Sequence, residues 1–432
     1  VAQTTTQADA ILQNYYLPVV REMVNQRAIL LFGYSPAELE AGMGHFNAAE
    51  GETMDYRGIS RDADQIDFAG RQWIIALHTT RNESGTMRAE MGTLPVPGQQ
   101  GWADLIDKIK RAYKQILISG FAMELTERSI GSYLRLLEAE TEGAINDLRK
   151  DLNRQAFGDQ RGTLCQITAK AANTFTADNL QYLRVGMYVD FVNQSTDAVL
   201  NTPGTPRQIT AITPATRVVT YGGSDLSGSM TAGTHVPCLD GNWKLEINGL
   251  RNMIRSDLSQ NYALHGIDSS VAGNEYWKAK QFDGGNTTFD EDQGQLLLDQ
   301  IGAEGWETDI ILTTRGIRRR YVNTLKAQKR WNDSLALTMH GGFKFIDYNG
   351  FPLLFDDDCP KQYMWFLDTD SFLWVNLNGN DFRWMARDGA VLRKMESPDQ
   401  DAYKATLYKY CDLGCERRKT QGCIYNLADD IP

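Results

Sequence analysis

No apolar run in this chain of 432 residues approaches the roughly 18 needed to cross a bilayer. The longest, such as Trp73 to Leu77 and Ile310 to Leu312, are strand-sized, so no membrane partner is expected. Basic charge is also short. Lys and Arg number 44 against 55 Asp and Glu, which leaves a formal net charge of −11 and a pI near 5.1. A dedicated nucleic-acid binder normally presents a net basic domain, and this balance argues against one. Histidine is rare: His45, His78, His235, His265 and His340 form no metal-like pair. There is no G-x-x-x-x-G-K-S/T, no H-E-x-x-H, no G-x-S-x-G and no G-x-G-x-x-G. Gly42-Met43-Gly44 begins like a dinucleotide loop but continues His45-Phe46-Asn47. No catalytic, cofactor-binding or metal-ligating residue is assigned, and no cofactor or enzymatic activity is expected.

Cysteine supplies no framework. Cys165, Cys238, Cys359, Cys411, Cys415 and Cys423 sit in a long chain whose first residues, Val1-Ala2-Gln3-Thr4-Thr5-Thr6, carry no export signal. They read as free thiols. Cys411-x3-Cys415-x7-Cys423 lacks the spacing of a zinc knuckle, so packing is the favoured role. The missing initiator Met implies its removal, or cleavage of a longer precursor.

What the chain does have is apolar material for more than one core, at 42% of residues. Residues 1–55 read as an arm. Ala10, Ile11, Tyr15, Leu17, Val19, Val20, Met23 and Val24 offer a helical stripe interrupted by Pro18. In residues 56–112, Ile66 and Phe68 alternate on one parity and Trp73, Ile75 and Leu77 on the other, with Gly70 at the switch. Asn82-Glu83-Ser84-Gly85 then turns the chain, and Thr86 to Glu90 is expected to run back. This long hairpin has no obvious core of its own.

Thr126 is expected to cap a helix ending at Gly158, with Ile130, Leu134, Leu137, Thr141, Ile145, Leu148 and Leu152 on one face. At 1.5 Å per residue it would run roughly 45 Å. Residues 163–245 read as a small independent β-barrel or sandwich inserted into the chain, with strands at 187–192, 208–212 and 217–221. Residues 246–342 return to α/β. Leu296, Leu297, Leu298 and Ile301 mark one helix; Thr313 or Thr314 caps another carrying Ile317, Tyr321 and Leu325. The rest is mostly strand, with hairpin signals at Asn349-Gly350 and Asn378-Gly379.

Three charged clusters need a reading. Asp356-Asp357-Asp358 is of a type that holds a hard cation, but a solvated turn is favoured. The acidic run at Asp290, Glu291 and Asp292 suits the positive end of a helix. Arg315, Arg318, Arg319 and Arg320, like Arg417, Arg418 and Lys419, are read as solvated faces or subunit contacts. An arm and a hairpin without cores of their own are stable only on neighbouring copies, which points to an obligate assembly.

The order of these elements resembles the major capsid protein of tailed phages, the Hong Kong 97-type capsid fold. In that α+β fold an N-terminal arm and an extended E-loop precede a P-domain with a long spine helix, an A-domain and returning strands. Ile66 to Glu90 resembles the E-loop, Thr126 to Phe157 the spine helix, and Gly158-Asp159-Gln160-Arg161-Gly162 the turn after it. Glu246-Ile247-Asn248-Gly249-Leu250 resembles the start of the A-domain, and Tyr348-Asn349-Gly350-Phe351-Pro352-Leu353 the strand before the return. The resemblance implies an arm at 1–55, an E-loop at 56–112, a P-domain at 113–162, a β-barrel-like insertion at 163–245, an A-domain at 246–342 and returning strands at 343–432.

It also implies pentamers and hexamers that close an icosahedral shell around double-stranded DNA, contacted non-specifically. Portal and scaffolding proteins, and a decoration protein, are the implied partners. The virion capsid, assembled in the cytoplasm of a prokaryotic host, is the implied location. Interface residues expected on this reading are Arg71, Trp73, Ile75, Leu77, Arg81, Arg315 and Arg319. Some members cross-link through an E-loop Lys and an Asn; the first Lys here is Lys108, beyond the hairpin tip, so a non-covalent shell is expected. The rival readings are an encapsulin-like nanocompartment, which shares the fold, a carbohydrate-active enzyme, and a phage tail or adhesion protein.

Overall fold

The computed structural model describes residues 29–32, 59, 64–67, 72–121, 130–201, 205–258, 261–305, 307–328, 347–377, 382–386, 391–394 and 401–429. A helical turn, α1 (Ile29–Phe32), and a short strand, β1 (Asp64–Asp67), come first. A hairpin of β2 (Trp73–Thr80) and β3 (Gly101–Asp107) leads to β4 (Lys110–Ser119) and the long helix α2 (Ile130–Ala156). Its 27 residues span about 40 Å. Ala144 packs with Ile116 and Ile118 of β4, and Leu148 and Leu152 on the same face enter the main core, as the apolar spacing requires.

Six strands then build the inserted unit: β5 (Ile167–Ala171), β6 (Thr174–Ala177), β7 (Tyr188–Asn193), β8 (Arg207–Thr213), β9 (Val218–Tyr221) and β10 (His235–Leu239). Their order is β10-β7-β8-β9-β6-β5. A bridge between Thr163 and Cys238, and the Gly233 N–H donated to Ile167 O at 2.8 Å, bring the two edges together into a barrel-like closure. The unit has its own core, in which the rings of Phe175, Phe191 and Tyr221 meet at 5.2 to 6.4 Å.

Next come α3 (Leu250–Ile254), β11 (Ala263–Leu264), β12 (Ile267–Asp268), β13 (Lys280–Asp283), α4 (Glu291–Gly302), β14 (Ile310–Thr313) and α5 (Arg315–Gln328). The last part holds β15 (Asp347–Tyr348), β16 (Phe351–Phe355), β17 (Met364–Leu367), β18 (Phe372–Asn376), β19 (Arg383–Trp384), β20 (Arg393–Lys394), β21 (Ala402–Cys415) and β22 (Gly422–Tyr425). They complete two six-stranded sheets. One runs β13-β22-β17-β14-β16-β15, with residues of α4 and α5 in its core. The other is built on β21, which pairs with β4 along one side and with β18, β19 and β20 along the other; β1 lies outside β18.

Several sequence expectations hold locally. Thr314 Oγ1 accepts the Ile317 N–H at 3.3 Å and caps α5. Asn349 and Gly350 take positive φ, 51° and 86°, in the two-residue turn between β15 and β16.

Others change. The strand that pairs with β2 is β3, while Thr86 to Glu90 lies in the intervening loop. β1 joins β18 in parallel and is no part of the hairpin. The strands flanking Asn378-Gly379 do not pair with each other; β18 and β19 both add to β21. Thr126, the Gly70 switch, Asn378-Gly379 and most of the arm lie outside the described residues. Within the arm, Leu30 and Leu31 are buried in the chain's own largest core, so part of it packs at home.

Candidate assembly surfaces and the joints behind them

The hairpin has two unlike faces because strand side chains alternate. The inner face sets Trp73, Ile75, Leu77, Ala103 and Leu105 against the main core. Trp73 is only 4% exposed; it stands edge-on to His265 at 4.9 Å and covers Gly414, where a Cβ would lie 3.1 Å from Trp73 Cη2. The expectation that Trp73 faces a neighbouring subunit is therefore corrected: its ring is an intrachain core group, with Ile75 and Leu77 half-buried beside it.

The outer face carries Ile74 and Trp102, the latter 66% exposed, with the His78 ring 4.9 Å from Trp102. Beyond it Asn82 pins the loop. Its Oδ1 accepts the Ser84 N–H and its Nδ2 donates to Gly98 O, both at 2.9 Å. Between these pins Met87, Met91, Leu94 and Val96 stand exposed, uncovered by the rest of the described chain. Four apolar side chains in water on one loop mark an interaction surface. Arg81 is occupied by an exposed ion pair with Glu83 at 2.6 Å. Arg71 lies outside the described residues.

The arginine clusters divide. Arg315 grips Asp357 with two bonds of 2.5 and 2.6 Å and lies over the Phe355 ring at 4.7 Å, so its main partners are in its own chain. Arg319 is exposed on α5. Arg418 corrects the solvated-face reading outright. It is fully buried and donates to Met253 O, Asn261 O, Asn252 O and Tyr262 O, at 2.5 to 3.3 Å.

The acidic turn is corrected as well. Asp356 and Asp358 are buried, not solvated. Asp358 pairs with Lys150 of α2 at 2.8 Å, and Asn153 Nδ2 donates to both carboxylates. Asp356 Oδ2 accepts the Leu30 N–H at 2.9 Å, and Asn153 Oδ1 the Leu31 N–H at 3.1 Å. The turn thus ties α1 to α2. Burial first, and the Asp358 charge next, push the Asp356 carboxyl up to about 6.

A second joint closes the end of α2. Buried Arg154 forks onto Glu246 and reaches Asp151 at 3.0 Å; against the effect of burial, these carboxylates hold its pKa above the ordinary arginine value. Gly249 fits because a Cβ there would stand 2.5 Å from Gln155 O and Gly158 O.

A third joint lies at the hairpin root. Asp107 accepts from Asn248 Nδ2 at 2.8 Å and lies 3.2 Å from His265 Nδ1. Asn248 also donates its backbone N–H to Asp412 Oδ1 at 3.2 Å and its side chain to Asp412 Oδ2 at 3.4 Å. His265 Nε2 accepts the Cys415 N–H at 3.2 Å, which assigns the ring hydrogen to Nδ1 and makes it a donor to Asp107.

All six cysteines are buried and free, and burial raises every thiol pKa, those of Cys411 and Cys415 to about 12, so none is a ready nucleophile. Among the described residues no cluster of His, Cys, Asp and Glu has a metal-holding arrangement. No described helix is long and apolar enough to cross a membrane.

The fold is similar to that of the capsid asymmetric unit of cyanophage A-1(L), with a TM-score of 0.52 at 11% identity, over 84% of this chain and 90% of that one. The chain has the Hong Kong 97-type capsid fold. Two further capsid-fold shells align over most of their length. The capsid of a native GTA particle gives a TM-score of 0.44 at 10% identity, over 90% of this chain and 97% of that one. The SrpI encapsulin of Synechococcus elongatus gives 0.40 at 10% identity, over 91% and 96%. No protein-family model matches the sequence, and no curated protein does.

α2, β4 and β21 lie together in one body, and the hairpin packs its inner face on the same chain's main core. The joints around Arg154, Asp356 and Asp412 escaped the sequence reading. One signal was available: Glu246-Ile247-Asn248-Gly249-Leu250 stood out as a motif, and three of its five residues prove to be joint residues.

Proposed function

We propose that this chain is a shell-forming capsid protein, whose copies assemble through pentamers and hexamers into an icosahedral shell enclosing double-stranded DNA. The observation that carries the reading is the capsid fold together with a hairpin whose root is buried and whose tip, Met87 to Val96, exposes its apolar side chains. On this reading residues 56–112 are the E-loop, 113–162 the P-domain with its spine helix, 163–245 the insertion, 246–342 the A-domain, and 343–432 the returning strands. The hairpin tip, with Trp102 and Arg319, meets adjacent copies, and the role is structural rather than enzymatic. A net charge of −11 suits a container that confines DNA without gripping it.

Electron microscopy of the purified protein tests this. Icosahedral shells are the expected result, and dispersed monomers would defeat it. Nuclease-resistant DNA inside the particles supports a virion; enzyme cargo in its place would turn the reading to a nanocompartment. No lysine precedes Lys108, so the particles should run as monomers on a denaturing gel.

A further inference from the structure

At the hairpin root two carboxyl groups face one asparagine. Such a pair does not carry two charges cheaply in a dry site. Asp107 is the charged member. Burial acts against it, but His265, the Lys108 N–H and Asn248 hold it down at about 2. Asp412 is fully buried and is pushed up to about 8, by burial first and by the Asp107 charge next. Lys110 on β4, the Asn248 N–H and the Leu413 N–H offset this only in part. Cys411, its neighbour on β21, feels the same carboxyl, and Lys409 and Tyr410 precede them on the strand. The three partners come from three segments: Asp107 from the hairpin, Asn248 from the connector before α3, and Asp412 from the central strand of the body.

We propose that Asp107, Asn248 and Asp412 form a proton-dependent latch that docks the hairpin on the body, tightest while Asp412 keeps its proton. Opening the root admits water, and Asp412 then returns to an ordinary carboxylate pKa of about 4. Between that value and about 8 the shut state binds one proton more than the open state. The latch therefore weakens as pH rises through this window, by up to about tenfold per pH unit, and levels off above it. Asp107 has the opposite sign: its contribution is complete above about pH 4 and fades only as pH falls toward 2. Mild acid stiffens the hairpin and mild alkali frees it. The inference concerns the single chain and does not rest on the assembly reading.

Amide hydrogen exchange on the full chain tests it. The Ile106 N–H, bound to His265 O at 2.9 Å, is the reporter at the root. Corrected for intrinsic exchange, residues 102–107 should lose at least about tenfold in protection between about pH 5.5 and 7.5. Residues 207–221 of the barrel should hold theirs. Asp412→Asn, neutral at every pH, should flatten the profile at the root. A flat wild-type profile overturns the latch, and so does an Asp412→Asn profile with the wild-type slope. Should that variant not fold, the wild-type root measured against its own barrel decides the matter alone.

Discussion

Arg418 holds a guanidinium inside the protein on carbonyl oxygens from two turns of chain, Asn252–Met253 and Asn261–Tyr262. Burial lowers its pKa to about 10, still far enough above neutrality to keep the charge. Arg418→Met would strand these acceptors without donors, and removing one side of such a buried charged network costs about 3–5 kcal/mol. Denaturant unfolding of the unassembled chain should show a loss of that size. Arg418→Lys should recover only part of it, because a single ammonium cannot fork across both turns. In the sequence this residue is the middle of Arg417-Arg418-Lys419, and a basic triplet reads the same whether its charges point out or in. Asp356 and Asp358 have the same history. Their partners Lys150 and Asn153 are some two hundred residues away, a separation no local pattern spans.

At the scale of elements, local periodicity carried the long helix, the barrel strands and the Asn349-Gly350 turn, because their hydrogen bonds close between near neighbours. It failed where pairing is chosen at a distance. The turn at Asn82 invites an immediate return, yet the loop runs to Gly98, and the chain comes back only at β3. What selects β3 is the main core, which receives Ala103 and Leu105 beside Trp73 and Leu77. The barrel is the element with the most local closure. Its core draws only on residues 164–239. Residues 161–245 expressed alone should therefore fold, with a single cooperative thermal transition and near-ultraviolet circular dichroism from Phe175, Phe191 and Tyr221. A broad, non-cooperative melt would show that the barrel leans on the body.

For the whole molecule the hairpin tip separates folding from assembly. Met87, Met91, Leu94 and Val96 add nothing to the chain's own core, so changing all four to Ser should shift monomer stability by no more than about 0.5 kcal/mol per site. Shell yield should fall at least about tenfold, since buried apolar anchors carry most of an interface's energy. Sedimentation of the variant beside the wild type reads both outcomes. An unchanged yield would remove the tip from the assembly surface.

The position of β21 has a consequence in time. It is the central strand of one six-stranded sheet, and β22, an interior strand of the other, follows it within a few residues. Neither sheet can close until residues 402–425 have left the ribosome. The barrel, by contrast, is complete some 160 residues earlier. A growing chain thus carries a finished barrel on an unfinished body, and the root that holds the hairpin lacks Asp412 throughout that interval.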